Sequence, residues 1–202
     1  MRIGTDYYPE HWERSRWKED ARLMRKAGIE VIRVGEFSWS LFEPEEGVYD
    51  FAWMDEAIEY FGGHGISIVL GTPSATPPKW MVDKYPEILP EDVHGQKKLF
   101  GTRRHYCFNS AVYRKKIKKL VELLAKRYGE HPHIEGWQID NELGHGNTTH
   151  CYCEECRQKF IFWLKEKYQT IEQLNDTYGT VFWSQIYNNF EQIILPKAGA
   201  CY

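Results

Sequence analysis

The sequence lacks any long run of apolar residues. No stretch of its 202 residues approaches the roughly 18 consecutive apolar residues that a membrane-spanning helix needs. The opening, MRIGTDYYPEHW, also lacks the charged and then apolar leader with a small-residue cleavage site that directs secretion. We therefore expect a cytoplasmic protein that makes no contact with a membrane.

An excess of charge of either sign is also missing. The 26 lysine and arginine residues are nearly balanced by 29 aspartate and glutamate residues, which gives a formal net charge of -3 and a pI near 6.3. Without a basic field, the chain is not expected to bind nucleic acid. The hydrophobic fraction of 42% and the charged fraction of 27% are those of an ordinary globular domain, and the length suffices for one sizeable core.

Cysteine is scarce, with five residues, yet three of them are clustered. Cys151, Cys153 and Cys156 follow the spacing C-x-C-x2-C on one predicted loop. In a reducing compartment such a cluster favours a metal over a disulfide, and thiolates this close can surround a tetrahedral Zn2+ when a fourth ligand comes from elsewhere. The alternative is a group of reduced cysteines without a metal.

The fourth ligand must come from another part of the chain. Cys107 lies in the loop after the third predicted strand, and loops of neighbouring parallel strands can meet, so it is the first candidate. His145 or His150 are alternatives for the same place. Cys201 fits no pattern.

The sequence does contain a repeated alternation of strands and helices. Apolar runs rich in β-branched residues predict four strands, and helical spacing of apolar residues predicts the helices between and after them. The strands are 2–6, 30–36, 66–72 and 134–140; the helices are 17–27, 51–64, 110–129 and 154–168, with shorter pieces at 171–178 and 181–190. A long proline-rich loop is predicted at 73–109. This order predicts a parallel sheet with right-handed crossovers.

Two architectures fit that order, an open doubly wound sheet and a (β/α)8 barrel. No glycine-rich phosphate fingerprint follows the first strand, where a dinucleotide-binding fold carries one. Polar residues instead follow the C-terminal ends of the strands, where a barrel enzyme collects its chemistry: Asp6, Arg33, Glu36, Thr72, Asn141 and Glu142. We therefore predict an α/β fold of the (β/α)8 TIM-barrel type. A barrel takes about 250 residues and eight strands, and only four strands are predicted here. Residues 1–202 are therefore predicted to be the N-terminal part of a single TIM-barrel catalytic domain, with about the first half of the barrel present.

The most informative polar pair is Asn141–Glu142, which follows the apolar run IEGWQID. Glycoside hydrolysis needs one carboxyl group that protonates the leaving oxygen and, in retaining enzymes, a second that attacks the anomeric carbon. Glu142 suits the acid role, because partly apolar surroundings near Trp137 and Ile139 would favour the protonated form. Asn141 can hydrogen-bond a sugar 2-hydroxyl. The alternative is a turn pair that opens a solvated loop.

Five separate motifs, in order, resemble those of glycoside hydrolase family 42. They are DYYPEHW, VIRVGEFSWSLFEPEEGVYDF, PSATPPKW, RRHYCFNS and WQIDNE, and the resemblance extends to about Leu195. It implies a (β/α)8 barrel and a retaining β-galactosidase that uses two glutamates and acts on terminal β-D-galactosides. It further implies a homotrimer for the complete enzyme and, in many members, a structural zinc held by four cysteines at the positions named above.

The resemblance also implies roles for individual residues. The glutamate of the asparagine–glutamate pair is the general acid/base, which is Glu142 here, and Asn141 binds the sugar. The galactose-binding arginine stands two residues before HYC, which indicates Arg103 in preference to Arg104.

Three further positions match the pocket of that family. Arg33 and Glu36 match a pair that shapes the pocket floor, although a purely structural ion pair is an equal alternative. Trp183, in FWSQ, matches a sugar-facing wall.

The chain departs from the family in one respect. The family's nucleophile is a glutamate at the seventh barrel strand, and no position here corresponds to it. The hypothesis is therefore the N-terminal part of a β-galactosidase without its nucleophile. Two alternatives remain: a retaining glycosidase for another β-glycoside, such as an arabinoside, fucoside or glucoside, and an inactive, zinc-stabilised sugar-binding fragment.

Overall fold

Four parallel strands form one sheet, and helices cover one of its faces. The computed structural model describes residues 2–101, 103–144 and 150–197. The strands β1 to β4 are Ile3–Asp6, Ile29–Val34, Ser67–Gly71 and Ile134–Gln138. The helices α1 to α7 are Arg14–Lys26, Trp39–Phe42, Ala52–Gly63, Lys79–Lys84, Ala111–Tyr128, Glu154–Tyr168 and Ile171–Tyr178. The four predicted strands and the long predicted helices are all present, with ends that shift by up to three residues.

Each strand is hydrogen-bonded to the next one along the chain. The order is β1-β2-β3-β4 and every pairing is parallel. A doubly wound sheet reverses its order at a switch point, whereas this sheet runs on in one direction, as a sector of a barrel does. The register places Asp6 beside Arg33 and Gly71 beside Gln138, so the C-terminal ends of the strands share one edge.

The core lies between the sheet and the helices. Ile32, Val34, Ile68 and Leu70 point towards the helices and are at most 1% exposed. They belong to one cluster with helix residues such as Ala21, Ile58, Phe61, Leu120 and Leu124. Burial of each large apolar side chain stabilises the fold by about 1.5–3 kcal/mol. The residues on the opposite face of the sheet are less buried.

On that opposite face, the residues that alternate with the core positions are only half-buried. They are Val31, Arg33, Ser67 and Val69. In a complete barrel this face is the packed interior. Within the described residues, no second layer covers it.

Two helices illustrate how local sequence sets their limits. The Ser110 hydroxyl accepts a hydrogen bond from the backbone N–H of Tyr113 and caps the start of α5, and α5 ends before Gly129. Thr170 caps α7 in the same way, and α7 ends at Gly179, which takes a left-handed φ of 66°.

The segment 73–109 is more ordered than predicted. It contains α4 and two 3-10 turns, Pro73–Ala75 and Pro86–Ile88. The segment folds back on itself, because Arg104 N donates to Ala75 O at 2.6 Å and Cys107 N donates to Ile88 O at 2.7 Å. The prediction of an irregular loop was wrong for α4, whose six residues are too few for a helical pattern and are flanked by prolines.

One glutamate joins the loop after β2 to two helices. The Glu46 carboxylate accepts hydrogen bonds from Lys84, Lys116 and the Tyr85 hydroxyl. Lys116 first, and then Lys84 and Tyr85, lower the pKa of Glu46 from 4.5 to about 2. The ionised carboxylate thus holds α4 and α5 to the loop after β2.

Among the described residues, no helix is both long enough and apolar enough to cross a bilayer.

Candidate active site

The tip of β4 is a tight turn that carries the candidate acid. β4 ends at Gln138, two residues before the predicted end at Asp140. Asp140 has a φ of 60° and Glu142 a φ of 45°, so both take the left-handed conformation that residues other than glycine rarely adopt. Asn141 and Glu142 therefore lie in a strained turn beyond the strand.

The structure brings Glu142 and Arg103 together. Arg103 Nη2 lies 2.9 Å from Glu142 Oε2, and the two side chains are 41% and 48% exposed. The partly apolar surroundings predicted for Glu142 are not found. Within the described residues, the carboxylate instead faces a cation and solvent, because no part of the chain lies opposite the open face of the sheet.

Asn141 is held from two sides. Its side chain is 5% exposed, its carbonyl Oδ1 accepts from Gln138 Nε2 at 3.1 Å, and its backbone N–H donates to Asp140 Oδ1 at 2.7 Å. Asn141 Nδ2 is buried without a partner among the described residues. An amide N–H left unpaired in this way is suited to donate to a hydroxyl of a bound molecule.

Arg33, which is half-buried, and Glu36, which is buried, form an ion pair at the end of β2. Arg33 Nη2 lies 2.9 Å from Glu36 Oε1, and Glu36 is fully buried. The Tyr8 hydroxyl donates to the same oxygen at 2.9 Å. Burial, and then the hydrogen bond to Glu36, raise the pKa of Tyr8 to about 12, so this hydroxyl remains a donor at neutral pH. These contacts favour the structural alternative for the pair.

Gly71 allows the end of β3 to pass against Glu36. A Cβ on Gly71 would lie 2.6 Å from the Glu36 Cβ and 2.9 Å from its Cα and backbone N. Since those atoms are backbone or fixed by it, no side-chain rotation could relieve the contact. A residue without a side chain is therefore required at this point.

Buried polar atoms without partners concentrate at this edge of the sheet. Seven such atoms occur among the described residues, and five of them surround the tips of β2 and β4: Arg33 Nε, Glu36 Oε2, Arg104 Nε, Gln138 Oε1 and Asn141 Nδ2. Folded proteins leave few buried polar groups unpaired. This concentration indicates a place that a ligand or a further protein segment completes.

Trp183 lies on a second strained turn, beyond α7. Trp183 has a φ of 63° and is 71% exposed, and its ring centroid lies 5.6 Å from that of Phe182. The structure records no contact between Trp183 and Glu142 within the described residues. The sugar-facing role of Trp183 stays a prediction.

Four cysteines converge from the segments that follow β3 and β4. The Sγ atoms of Cys107, Cys151, Cys153 and Cys156 all lie within 4.8 Å of one another. The Cys107–Cys156 distance is 3.3 Å and the Cys153–Cys107 distance is 3.7 Å. These are far longer than the roughly 2.05 Å of a disulfide. They resemble the roughly 3.8 Å between ligands of a tetrahedral metal with Zn–S bonds of about 2.3 Å.

Cys107 is the fourth member of this group, as predicted, and His150 is not part of it. His145 and Cys201 lie outside the described residues.

Polar groups around the cysteines favour the thiolate form of Cys156. Asn109 donates from its backbone N to Cys107 Sγ at 3.4 Å and from its side chain to Cys156 Sγ at 3.2 Å. Cys156 also lies in the first turn of α6, where the helix dipole favours negative charge. Hydrogen bonds from Cys107 and then Cys151 lower the pKa of Cys156 to about 4, and the pKa of Cys107 is raised in turn.

The sequence did not reveal that Asp140 and Arg104 help to form the turn at the tip of β4. Asp140 was predicted to end the strand, and Arg104 was considered only as a weaker candidate for sugar binding. In the structure, Asp140 lies in the turn that carries Glu142, and Arg104 binds the Asp140 carboxylate. A charged residue at the end of an apolar run was the one signal in the sequence.

Comparison with known proteins gives one consistent result. The model of glycoside hydrolase family 42, described as β-galactosidase, matches residues 6–200. A β-galactosidase of Thermus thermophilus is 54% identical over 194 residues, which cover 96% of this chain and 30% of that protein.

Solved structures agree with the sequence comparison. The β-galactosidase of the psychrophilic Marinomonas ef1 has a TM-score of 0.94 at 47% identity and covers 100% of this chain and 31% of its own. That of Halorubrum lacusprofundi has a TM-score of 0.93 at 48% identity, covering 100% and 30%. The chain thus spans about 30% of the length of these relatives.

Proposed function

We propose, from the premise that this chain belongs to glycoside hydrolase family 42, that it is the part of a retaining β-galactosidase that carries the acid/base. The observation that supports the proposal is the turn at the tip of β4, where Arg103 and Glu142 lie 2.9 Å apart beside unpaired buried polar atoms. The substrate class is a terminal β-D-galactoside.

In this proposal Glu142 donates a proton to the leaving oxygen and later takes one from the attacking water. An ion pair favours an ionised carboxylate, whereas donation needs the neutral acid. We therefore expect Arg103 to turn from Glu142 to the sugar hydroxyls when a galactoside binds. Asn141 would then donate to the sugar 2-hydroxyl.

The second carboxyl group is not expected among these residues. A retaining nucleophile lies about 5–5.5 Å from the acid. Of the carboxylates at this edge, Glu36 is the one that belongs to the predicted pocket, but β2 is two strands from β4, which is about 10 Å at the usual strand spacing. Glu36 is also fully buried and paired with Arg33. We expect a segment outside the chain described here to supply the nucleophile.

We propose further that the four cysteines hold a structural Zn2+. Four sulfur donors with near-tetrahedral spacing fit this ion, and such a closed set leaves no position for water or substrate. When bound, the metal would pin the loop that bears Arg103 to the segment that follows Glu142. The homotrimer and the cytoplasmic location expected from the sequence also stay predictions.

The deciding experiment compares Glu142→Gln with the wild type in the full-length enzyme that contains this chain. Hydrolysis of phenyl β-galactoside should fall by about 10²–10⁴-fold, because its leaving group needs a proton. Release of dinitrophenol from the corresponding galactoside in the first turnover should be largely retained, because that leaving group needs no proton. Glu135→Gln, a change at an exposed site on the same strand, is the matched control. Unchanged turnover of the phenyl galactoside by Glu142→Gln would refute the assignment.

A second candidate is a zinc-stabilised sugar-binding fragment without activity. It is favoured by one observation, that the chain spans only about 30% of its relatives. It predicts weak galactose binding and no turnover by the 202-residue chain alone. A panel of aryl β-glycosides, with arabinoside, fucoside and glucoside beside galactoside, tests the sugar preference of the complete enzyme.

A further inference from the structure

Arg104 is a buried arginine that points at the turn rather than at solvent. It is 1% exposed, although arginine is almost never fully buried unless it is paired. Its Nη1 lies 3.3 Å from Asp140 Oδ1 and also donates to the backbone carbonyl of Asn141, and its Nη2 lies 3.4 Å from Asp140 Oδ2. One guanidinium thus holds two successive residues of the turn that precede Glu142.

Asp140 is the centre of a wider set of hydrogen bonds. Its carboxylate also accepts from Asn141 N at 2.7 Å and from the Tyr106 hydroxyl at 3.5 Å. Its backbone N–H donates to Thr72 Oγ1 at 2.8 Å, and its carbonyl accepts from Gln138 Nε2 at 2.8 Å. The turn is therefore tied both to β4 and to the segment after β3.

The backbone needs such ties at this point. Arg104, Asp140 and Glu142 take φ values of 60°, 60° and 45°, and they are three of the six non-glycine residues in the left-handed region within the described chain. Residues persist in that region only where the surroundings determine them, and such residues cluster at functional sites. Here the surroundings are the contacts of Arg104 and Asp140.

The pair is shielded from solvent. The Arg104 guanidinium carbon lies 5.1 Å from the Phe108 ring and 5.9 Å from the Tyr106 ring, and Tyr106 is itself 1% exposed. Tyr106 stacks on Tyr113 at 3.9 Å. An ion pair with aromatic walls is weakly screened, so it fixes the turn more firmly than an exposed pair would.

We propose that Arg104 and Asp140 are positioning residues for Glu142, and that they act through the backbone of the turn without touching the sugar. The two adjacent arginines thus divide the work: Arg103 reaches the carboxylate from the open side, and Arg104 holds the turn from beneath. This inference rests on the acid/base role proposed above for Glu142.

The test measures two rates in the full-length enzyme that contains this chain: kcat for phenyl β-galactoside, and the release of dinitrophenol from the corresponding galactoside in the first turnover. Asp140→Asn and Arg104→Gln should each lower kcat for phenyl β-galactoside by about 10–100-fold, because a displacement of about 1 Å is enough for such a loss. Release of dinitrophenol in the first turnover should change little. A merely structural role lowers the folded fraction, which reduces both rates per mole of enzyme equally. The decisive readout is therefore the ratio of the phenyl β-galactoside rate to the rate of dinitrophenol release. Asp92→Asn, in an aspartate of the segment after β3 that binds only local backbone N–H groups, is the matched control.

A double variant covers the case in which a single variant does not fold. Arg104→Gln with Asp140→Asn removes both buried charges, so it leaves neither one unpaired. Because the two residues act as a unit, its loss should not exceed that of the worse single variant. A folded double variant with the wild-type ratio of rates overturns the proposal, as does a loss equal to the product of the single losses.

Glu142→Gln, measured alongside, separates the two proposals. If Glu142→Gln kept the wild-type ratio of the two galactoside rates, the acid role of Glu142 itself would be refuted. A lowered ratio in Glu142→Gln with normal ratios in the Asp140 and Arg104 variants would overturn only the positioning role.

Discussion

Removal of metal from the four-cysteine cluster should destabilise the chain by about 4 kcal/mol. Cys153, at the start of α6, lies 46 positions after Cys107. A cross-link that closes a loop of this length restricts the unfolded chain by about 4 kcal/mol in the chain-entropy estimate. For a chain of about 200 residues, this corresponds to a fall of about 8–16 °C in melting temperature. Loss of the metal also leaves neighbouring thiolates close together, which adds to the effect.

Two measurements on the 202-residue chain test this reasoning. Elemental analysis should find about one zinc per chain, and circular dichroism should show the fall in melting temperature after treatment with a chelator. Cys156→Ser should lose both the zinc and the response to the chelator. Cys201→Ser, which removes a thiol that the predicted four-cysteine set does not include, is the control and should keep both. A zinc-free protein whose melting temperature a chelator does not change would refute the reasoning.

Two further predictions concern stability. Gly71→Ala should destabilise the chain by about 1–3 kcal/mol in urea unfolding, because the added Cβ meets Glu36 at 2.6 Å. The control is Gly136→Ala on β4, whose nearest contact would be 4.0 Å away; equal losses would contradict this. The Glu46 pKa of about 2 lies below its ordinary 4.5, so its stabilisation is complete above pH 4.5 and is lost as the pH falls through 2. The stability gap between wild type and Glu46→Gln should therefore narrow from pH 5 to pH 2, with Glu45→Gln as control; a gap independent of pH would contradict this.

The fold could be predicted from sequence because its signals are local. Runs such as ISIVLGT predict buried strands, and the alternation of strands and helices predicts a parallel sheet. The error at β4 has a non-local cause. The run IEGWQID continues the strand pattern to Asp140, but β4 ends at Gln138 and the backbone turns at Asp140, whose carboxylate binds Arg104, 36 positions earlier. No pattern within the run could reveal that partner.

The candidate site was predictable where neighbouring strands bring their loops together. β3 and β4 are adjacent, so the loop after β3 meets the turn after β4, and Arg103 lies 2.9 Å from Glu142. The same adjacency brings Cys107 to the other three cysteines. The choice between Arg103 and Arg104 was a matter of motif alone. Their different burial, 41% exposed for the Arg103 side chain and 1% for Arg104, is set by packing against aromatic rings that the spacing cannot show.

The surroundings of Glu142 could not be predicted, and the reason bears on its proposed role as the acid. Among the described residues, Glu142 is half-exposed and paired with Arg103, whereas an acid that donates near neutral pH needs a setting that disfavours charge. The inner face of β2 and β3 is only half-buried, and five buried polar atoms near the strand tips have no partner among the described residues. A segment that covered the inner face would exclude water from Glu142. We therefore expect residues of the complete enzyme, beyond those that this chain spans, to set the acid strength of Glu142. Arg104 and Asp140 are expected to set its position.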